Sequence, residues 1–229
     1  IKDETYQVGP NPKDIYRRKE GELIDPRRLS EATLQLARSD LGEQNFQAQF
    51  QQEPEPPRGN MIDADWLNYY ADSEKTLVFD QTFICWDTAS ETGPNNDYSV
   101  ATVWGVIGYD FYLRHVYRDK INYPTLCRKA YELANRYQAD YTWVEKSSSG
   151  TPLYQELNME LPGRVEGISH NKSKVERMSK QMVFLEKRQV FLPEDAPWLA
   201  TFKAELLAFP SGRHDDQVDS MELFLHRMK

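Results

Sequence analysis

The stretch LVFDQTFICWD, residues 77–87, contains the clearest strand pattern of this sequence. Its apolar run stops abruptly at Asp87, which is typical of a buried strand that ends at a polar residue. Apolar and polar residues then alternate along 99–108, and FYLRHVYR follows a turn at 108–110, which predicts a hairpin of two further strands. We therefore expect three consecutive strands, the first of which ends at Asp87.

Downstream of the hairpin, strand and helix patterns alternate. Apolar residues recur at helical spacing between 126 and 137, and YTWVE then predicts a short strand that ends at Glu145. The remaining patterns predict a helix after Pro152, a weak strand at 165–168, a helix at 175–185, a short strand at 189–193, a helix at 198–206 and a closing helix at 218–228. This order predicts an α/β fold in which helices cover a mixed sheet.

The composition is that of a globular protein. The chain has 229 residues, of which 39% are hydrophobic, and this is enough to bury a core. No run approaches the roughly 18 consecutive apolar residues of a membrane span, and the first ten residues lack the features of a signal peptide. Cys85 and Cys127 lie in apolar patterns, which favours reduced, buried thiols of a cytosolic protein. We expect no membrane partner.

Residues 1–60 are polar and poor in strand patterns. One helix is expected there, with Ser30 as its N-cap and Gly42 at its end. The Pro-rich run at 54–57 predicts a linker. We therefore expect a helical and extended N-terminal extension at 1–60 and one domain at 61–229. Because the chain begins without Met, we also expect a longer full-length protein.

Three carboxylates, Asp215, Asp216 and Asp219, lie close together in SGRHDDQVDS, at the start of the predicted closing helix. Sites in open α/β sheets form beyond the carboxyl ends of strands, so this cluster can meet Asp87 and Glu145 there. Carboxylates gathered in this way repel one another unless a cation lies between them. Oxygen ligands without a His or Cys cluster suit Mg²⁺ or Mn²⁺, and two such ions can stabilise the attacking and leaving oxygens of phosphodiester hydrolysis.

Each of these carboxylates also has a purely structural interpretation. Asp215 and Asp216 can cap the closing helix and complement its dipole. Asp87 can form an Asx-turn, and Glu145 can form a surface ion pair with Lys146. Their joint position at the ends of strands favours the metal site.

A basic segment interrupts a chain whose net charge is −8. Between Arg164 and Arg188 there are seven Lys and Arg residues and three Glu residues. Such a segment is either a surface for phosphate contacts or a solvated helix face. The candidates for phosphate contacts are Lys172, Lys174, Arg177 and Lys180, with Arg213 beside the acidic cluster.

Four motifs of the sequence point to one family. They are FICWDTASETGPNNDYSVATVWG, TWVEKSSSGTPL, the Lys-rich helix that runs into QVFLP, and FPSGRHDDQVDSMEL. With these motifs, residues 60–229 resemble the C-terminal nuclease domain of the large terminase subunit of tailed bacteriophages. Residues 16–53 also resemble the tail of the ATPase region that precedes this domain in the family.

The resemblance implies a ribonuclease H-like fold, with a mixed sheet of five strands or slightly more flanked by helices. It also implies an endonuclease that cuts double-stranded viral DNA concatemers during genome packaging, by two-metal hydrolysis with Mg²⁺ or Mn²⁺. Asp87, Glu145 and one or both of Asp215 and Asp216 would then be catalytic metal ligands. Asp219 stays a candidate ligand, because Asp216 and Asp219 also resemble the D-x-x-D ending of Holliday-junction resolvases.

The partners implied by the resemblance are double-stranded DNA, the ATPase domain of the same full-length chain, the portal and the small terminase subunit, in the cytoplasm of the infected bacterial host. No G-x-x-x-x-G-K-S/T motif occurs, so we expect no ATPase activity from this chain. Two alternatives remain open: a structure-selective nuclease of the resolvase or transposase type, and a non-catalytic docking domain of the packaging motor.

Overall fold

The chain is described by a computed structural model that divides into two compact units, Ile1–Pro56 and Pro57–Lys229. It describes residues 4–8, 10–11, 13–18, 23, 25–42, 46, 49–50, 61–71, 77–89, 98–147 and 149–229. The Pro-rich run that predicts a linker lies outside the described residues. The expected division into an extension at 1–60 and a domain at 61–229 stays a prediction.

The described residues of the first unit include an antiparallel strand pair, a helix of 11 residues and further helical residues at 46 and 49–50. Strands β1 (Glu4–Gln7) and β2 (Ile15–Arg18) pair with each other, which the sequence pattern did not indicate. Helix α1 (Glu31–Leu41) has the predicted ends. The Ser30 side chain accepts a hydrogen bond from the backbone N–H of Thr33, and Gly42 follows the last turn with φ 75°, a value that suits glycine.

The described part of the second unit holds seven strands, five α-helices and one short 3-10 helix (Ala64–Trp66). The strands are β3 (Asn68–Tyr70), β4 (Gln81–Asp87), β5 (Ser99–Ile107), β6 (Asp110–Asp119), β7 (Tyr141–Glu145), β8 (Val165–Ile168) and β9 (Val190–Pro193). The helices are α2 (Tyr123–Arg136), α3 (Gly150–Glu160), α4 (Lys174–Glu186), α5 (Leu199–Ala208) and α6 (Asp216–Arg227).

These strands form one mixed sheet in the order β3-β9-β6-β5-β4-β7-β8. Strands β4, β7 and β8 are parallel, so Asp87 and Glu145 end at the same edge of the sheet. Strand β5 runs antiparallel to β4 and begins at that edge with Ser99. The mixed α/β sheet predicted from the sequence is confirmed, with seven strands where five or slightly more were expected. The three-residue β3 is too short to produce an alternating pattern.

The first predicted strand is shorter than its sequence pattern indicated. It begins at Gln81 instead of residue 77. Asp80 accepts a hydrogen bond from the backbone N–H of Gly108 at 2.8 Å, so it supports the β5–β6 turn instead of continuing the strand. The end at Asp87 is as predicted.

The sheet is buried on both faces, which explains the continuous apolar run of β4. Residues Ile84 and Trp86 face a cluster formed with α2 and α3, and Phe83 and Cys85 face a cluster formed with α6. On the α6 side, the ring of Phe224 stacks on Trp104 at 4.5 Å between centroids. Both cysteines are buried and free. In the described part of the chain, no helix has the length and apolarity that a membrane crossing requires.

Ser220 fastens α6 to the two central strands through buried hydrogen bonds. Its hydroxyl donates to the backbone carbonyl of Cys85 at 2.8 Å and accepts from the backbone N–H of Thr102 at 3.2 Å. The hydroxyl oxygens of Ser220 and Thr102 are 2.9 Å apart, and the indole of Trp104 donates to the Thr102 hydroxyl at 2.8 Å. This network determines where the first turn of α6 lies relative to the end of β4.

Ser220→Ala should lower the free energy of unfolding by about 1–3 kcal/mol, because the Cys85 carbonyl and the Thr102 N–H lose a buried hydrogen-bond partner. Urea denaturation measures the change. Thr201→Ala, an exposed substitution on α5, is the matched control and should stay within about 0.5 kcal/mol of the wild type. Equal stability of the two variants would contradict the anchoring role of Ser220.

Candidate active site

Helix α6 presents a buried acidic face toward the end of β4. Asp216, Asp219 and Glu222 lie three residues apart, so they share one side of the helix, and their exposed fractions are 6%, 3% and 1%. Asp215 is the N-cap residue, but its side chain makes no capping hydrogen bond. The side chain of Asp215 therefore does not cap the helix, although the structural interpretation expected it to.

Four carboxylates from three separate segments lie near one another at this edge of the sheet. Burial raises the pKa of Asp87 well above its usual value, and the negative charges of Asp219, Glu145 and Asp216 raise it further. The ammonium group of Lys174 acts in the opposite direction. Strand β4, strand β7 and helix α6 thus place Asp87, Glu145, Asp216 and Asp219 near enough to interact electrostatically.

Two cationic side chains of α4 reach into this acidic cluster. Lys174 Nζ contacts Asp219 Oδ2 and lies 2.9 Å from Asp215 Oδ1. Arg177 Nη1 lies 2.8 Å from Glu222 Oε2 and 3.8 Å from Glu145 Oε1, and Arg177 Nη2 lies 3.3 Å from Asp219 Oδ1. Burial lowers the pKa of Lys174, but its hydrogen bonds to Asp219 and Asp215 raise that pKa above its usual value.

The donor chemistry of the cluster fits a divalent cation. Burial raises the pKa of Asp219 to about 6 although Lys174 and Arg177 both lower it, so the two cations do not fully offset the cost of burying its charged form. Carboxylate oxygens are the ligands that Mg²⁺ and Mn²⁺ prefer. Within the described ranges, no three His, Cys, Asp or Glu side chains converge tightly enough to hold a metal ion as they stand. The metal-ligand set Asp87, Glu145, Asp215, Asp216 and Asp219 therefore stays a prediction.

A buried glutamate of α5 holds the first turn of α6 in place. Glu205 accepts hydrogen bonds from the backbone N–H and the side-chain amide of Gln217, each at 2.6 Å. A carboxylate at this position pairs with an otherwise unbonded N–H and complements the helix dipole. Arg118 Nε lies 3.8 Å from the same carboxylate. The helix start is thus capped from α5 and not by the side chain of Asp215.

Three residues that shape the site were not predicted from the sequence, namely Glu205, Ser220 and Glu222. The first two carry no sequence signal, because their partners lie on other elements. Glu222 follows Asp219 by three residues, so helical spacing alone places it on the same face as Asp216 and Asp219.

The candidates for phosphate contacts do not form one surface. Lys172, just before α4, and Lys180, on α4, both pair with Glu176 on the solvent side, at 2.6 and 3.7 Å. Lys174 and Arg177 point into the acidic cluster instead. Arg213 is exposed on the loop before α6. Their role in DNA binding stays a prediction, and only the exposed residues present their charge to solvent.

The turn after β7 brings the ends of β7 and β4 close together. A Cβ atom added to Gly150 would lie 1.9 Å from the backbone oxygen of Glu145 and 3.2 Å from Thr88 Oγ1. The hydroxyl of Ser149 donates a hydrogen bond to the backbone carbonyl of Ala89. Only a residue without a side chain fits at position 150, and this close approach fixes Glu145 beside the end of β4.

Comparison with known proteins supports the resemblance seen in the sequence. Residues 84–228 match the terminase RNaseH-like domain family. None of the curated proteins compared with the chain matches it significantly.

Solved structures show the same fold. The large terminase of a thermophilic bacteriophage, solved in complex with ADP, has a TM-score of 0.65 and 12% identity over 88% of this chain and 52% of the terminase, so this chain spans about half the length of that protein. The large terminase nuclease of the thermophilic phage G20c, solved with bound magnesium and with bound cobalt, has a TM-score of 0.53 and 21% and 20% identity, over 74% of this chain and 98% of the nuclease. The ribonuclease H-like fold implied by the sequence is confirmed.

Gly150→Ala should displace the end of β7, because its methyl group would overlap the Glu145 carbonyl. We expect a loss of about 1–3 kcal/mol in the free energy of unfolding, as for other overpacked sites. A crystal structure of the variant should show Glu145 shifted. Thr151→Ala, at the exposed next position, is the control. A Gly150→Ala protein with an unmoved Glu145 and full stability would refute this account of the turn.

The buried Glu222 predicts a pH dependence of stability. Burial raises its pKa to about 7 although Arg177 lowers it. The folded state therefore holds this proton more tightly than the unfolded chain, so the contribution of Glu222 to stability is full below its unfolded pKa of 4.5 and is lost as the pH rises through about 7.

We therefore expect Glu222→Gln to gain stability relative to the wild type as the pH rises through this window, by up to ~1.4 kcal/mol per pH unit. Chemical denaturation in EDTA, between pH ~5 and ~8, measures the difference. The exposed Glu194→Gln controls for the loss of one negative charge and should run parallel to the wild type. A constant difference between Glu222→Gln and wild type would contradict the raised pKa.

Proposed function

The chain belongs to the terminase RNaseH-like domain family, and on that premise we propose that it is a metal-dependent endonuclease that cuts double-stranded viral DNA during genome packaging. The observation that carries this proposal is that Asp87, Glu145, Asp216 and Asp219, from three separate segments, lie near one another at one edge of the sheet and interact electrostatically. The magnesium bound by the G20c large terminase nuclease supports it.

Under this proposal, Asp87, Glu145, Asp216 and Asp219 hold one or two Mg²⁺ or Mn²⁺ ions. Asp215 is a further candidate ligand and pairs with Lys174 in the structure. When bound, such ions neutralise the negative charge that builds up on the phosphodiester oxygens during hydrolysis.

Other residues of the chain hold these proposed metal ligands in position. Asp87 and Glu145 are fixed by the sheet and by the close approach of Gly150, and Asp216 and Asp219 by the anchoring of α6. The ammonium of Lys174 lies between Asp215 and Asp219, so it must move aside where an ion takes both carboxylates. Because its side chain is 49% exposed, Lys174 has room to turn toward solvent and toward a DNA phosphate.

We further propose the partners and setting of this nuclease. Double-stranded DNA is the substrate, contacted by the exposed Lys172 and Arg213 and by the half-buried Lys180. The chain spans about half the length of the large terminase that was solved with ADP. We propose that an ATPase domain of the same full-length protein supplies the packaging motor, and that the portal and the small terminase subunit are its partners in the cytoplasm of the infected host.

Asp87→Asn should abolish cleavage of supercoiled plasmid by the purified protein with Mn²⁺ or Mg²⁺. Loss of a group that merely orients a metal ligand costs about 10- to 100-fold, so loss of a central ligand should cost at least ~100-fold in kcat. EDTA should abolish the wild-type cleavage. The exposed Asp195→Asn is the matched control and should cleave as the wild type does.

The same assay separates the alternatives. Faster cleavage of four-way junctions than of linear duplex would favour a resolvase-type nuclease. Wild-type protein that cuts no DNA with either metal would contradict the proposed nuclease and favour a docking role.

A further inference from the structure

Arg177 is a buried cation surrounded by carboxylates of two elements. Its exposed fraction is 5%, although it belongs to the basic segment that the sequence offered for phosphate contacts. Its guanidinium touches Glu222 and Asp219 of α6 at 2.8 and 3.3 Å and reaches Glu145 of β7 at 3.8 Å. Because the guanidinium is enclosed by these groups, it is not accessible to a DNA phosphate.

Two of these three contacts are with candidate metal ligands, Glu145 and Asp219. The third, with Glu222, holds the arginine in place. Glu222 makes the shortest contact and is itself 1% exposed. A buried guanidinium stays charged and needs such a partner, and its planar fork lets it bind several carboxylates at fixed angles. Arg177 binds Oδ1 of Asp219, whereas Lys174 contacts Oδ2, so the two cations hold different oxygens of one side chain.

We infer that Arg177, held in place by Glu222, is a positioning residue that sets the arrangement of Glu145 and Asp219 for metal binding. This inference rests on the proposed metal-dependent nuclease. Arg177 on α4 then links two proposed ligands, Glu145 of β7 and Asp219 of α6. The arginine stays in place when the metal binds. Groups that orient metal ligands typically change metal affinity about 10- to 100-fold when removed.

The decisive variant is the double substitution Arg177→Met with Glu222→Met. At pH ~8, above the Glu222 pKa of about 7, it removes one positive and one negative charge, so the net charge around the carboxylates is unchanged and a change in metal affinity reports their positions. Replacing a buried ion pair by apolar side chains often preserves stability, so the melting temperature in EDTA should stay near that of the wild type. Calorimetric titration with Mn²⁺, without DNA, should show an affinity about tenfold or more below wild type.

Kinetics provide a second readout on the same proteins. Plasmid cleavage by the double variant at fixed Mn²⁺ should lose kcat while KM for DNA is unchanged, because Arg177 does not face the DNA. A variant with raised KM and wild-type Mn²⁺ affinity would overturn the inference in favour of a DNA contact. A double variant that keeps both stability and Mn²⁺ affinity would show that the pair serves the fold alone and would overturn it equally.

Arg177→Lys tests the inference if the double variant does not fold. It keeps the charge but not the planar fork, so it should fold and bind Mn²⁺ several-fold more weakly than wild type. Wild-type affinity in this variant would overturn the inference. Lys187→Met, which removes an exposed positive charge just after the same helix, is the control and should leave Mn²⁺ affinity unchanged.

These measurements separate the inference from the proposed function. A wild-type protein that binds Mn²⁺ and cuts DNA, beside a double variant of unchanged affinity, contradicts the positioning role only. A wild type that binds Mn²⁺ without cutting contradicts the nuclease but leaves the effect on affinity measurable. A wild type that does neither contradicts both.

Discussion

The repulsion among buried carboxylates at one edge of the sheet is the constraint on which the site depends. Asp87, Glu145, Asp216 and Asp219 would move apart if nothing else held them, because burial weakens the screening that water provides. The packing of α6 on the central strands opposes this separation, with Phe224 stacked on Trp104 and Ser220 bonded to two strand backbones. The core therefore holds these carboxylates near one another against their repulsion.

Each source of negative charge is positioned by a different device. The sheet register aligns the ends of β4 and β7, and the side-chain-free position 150 allows the following helix to approach them. Glu205 caps α6 from a neighbouring helix, which leaves the aspartates of its first turn available for the site. This arrangement suits the proposed metal centre, because other residues position the helices and strands that carry the proposed ligands.

Helix α4 shows how a charge pattern changes its meaning in three dimensions. From the sequence, Lys172, Lys174, Arg177 and Lys180 are one basic group. In the structure these residues have two different environments. Lys172 and Lys180 pair with Glu176 on the solvent side. Lys174 and Arg177 form ion pairs with the acidic cluster. Lys174 and Arg177 thus supply positive charge at the site, and the proposed metal ions would supply more at the same place.

The amino-acid sequence by itself determined the strand ends at Asp87 and Glu145, the caps of α1 at Ser30 and Gly42, and the acidic start of the closing helix. These features depend on periodicity and on backbone preferences within a few residues, which a sequence displays directly. Only the tertiary structure decided that β3 joins the sheet, that Glu205 caps α6 and that Arg177 turns inward to Glu222 and Asp219. Those pairings join residues that are far apart in the chain or on different elements, and the packing of whole helices against the sheet, not local pattern, determines which charges meet.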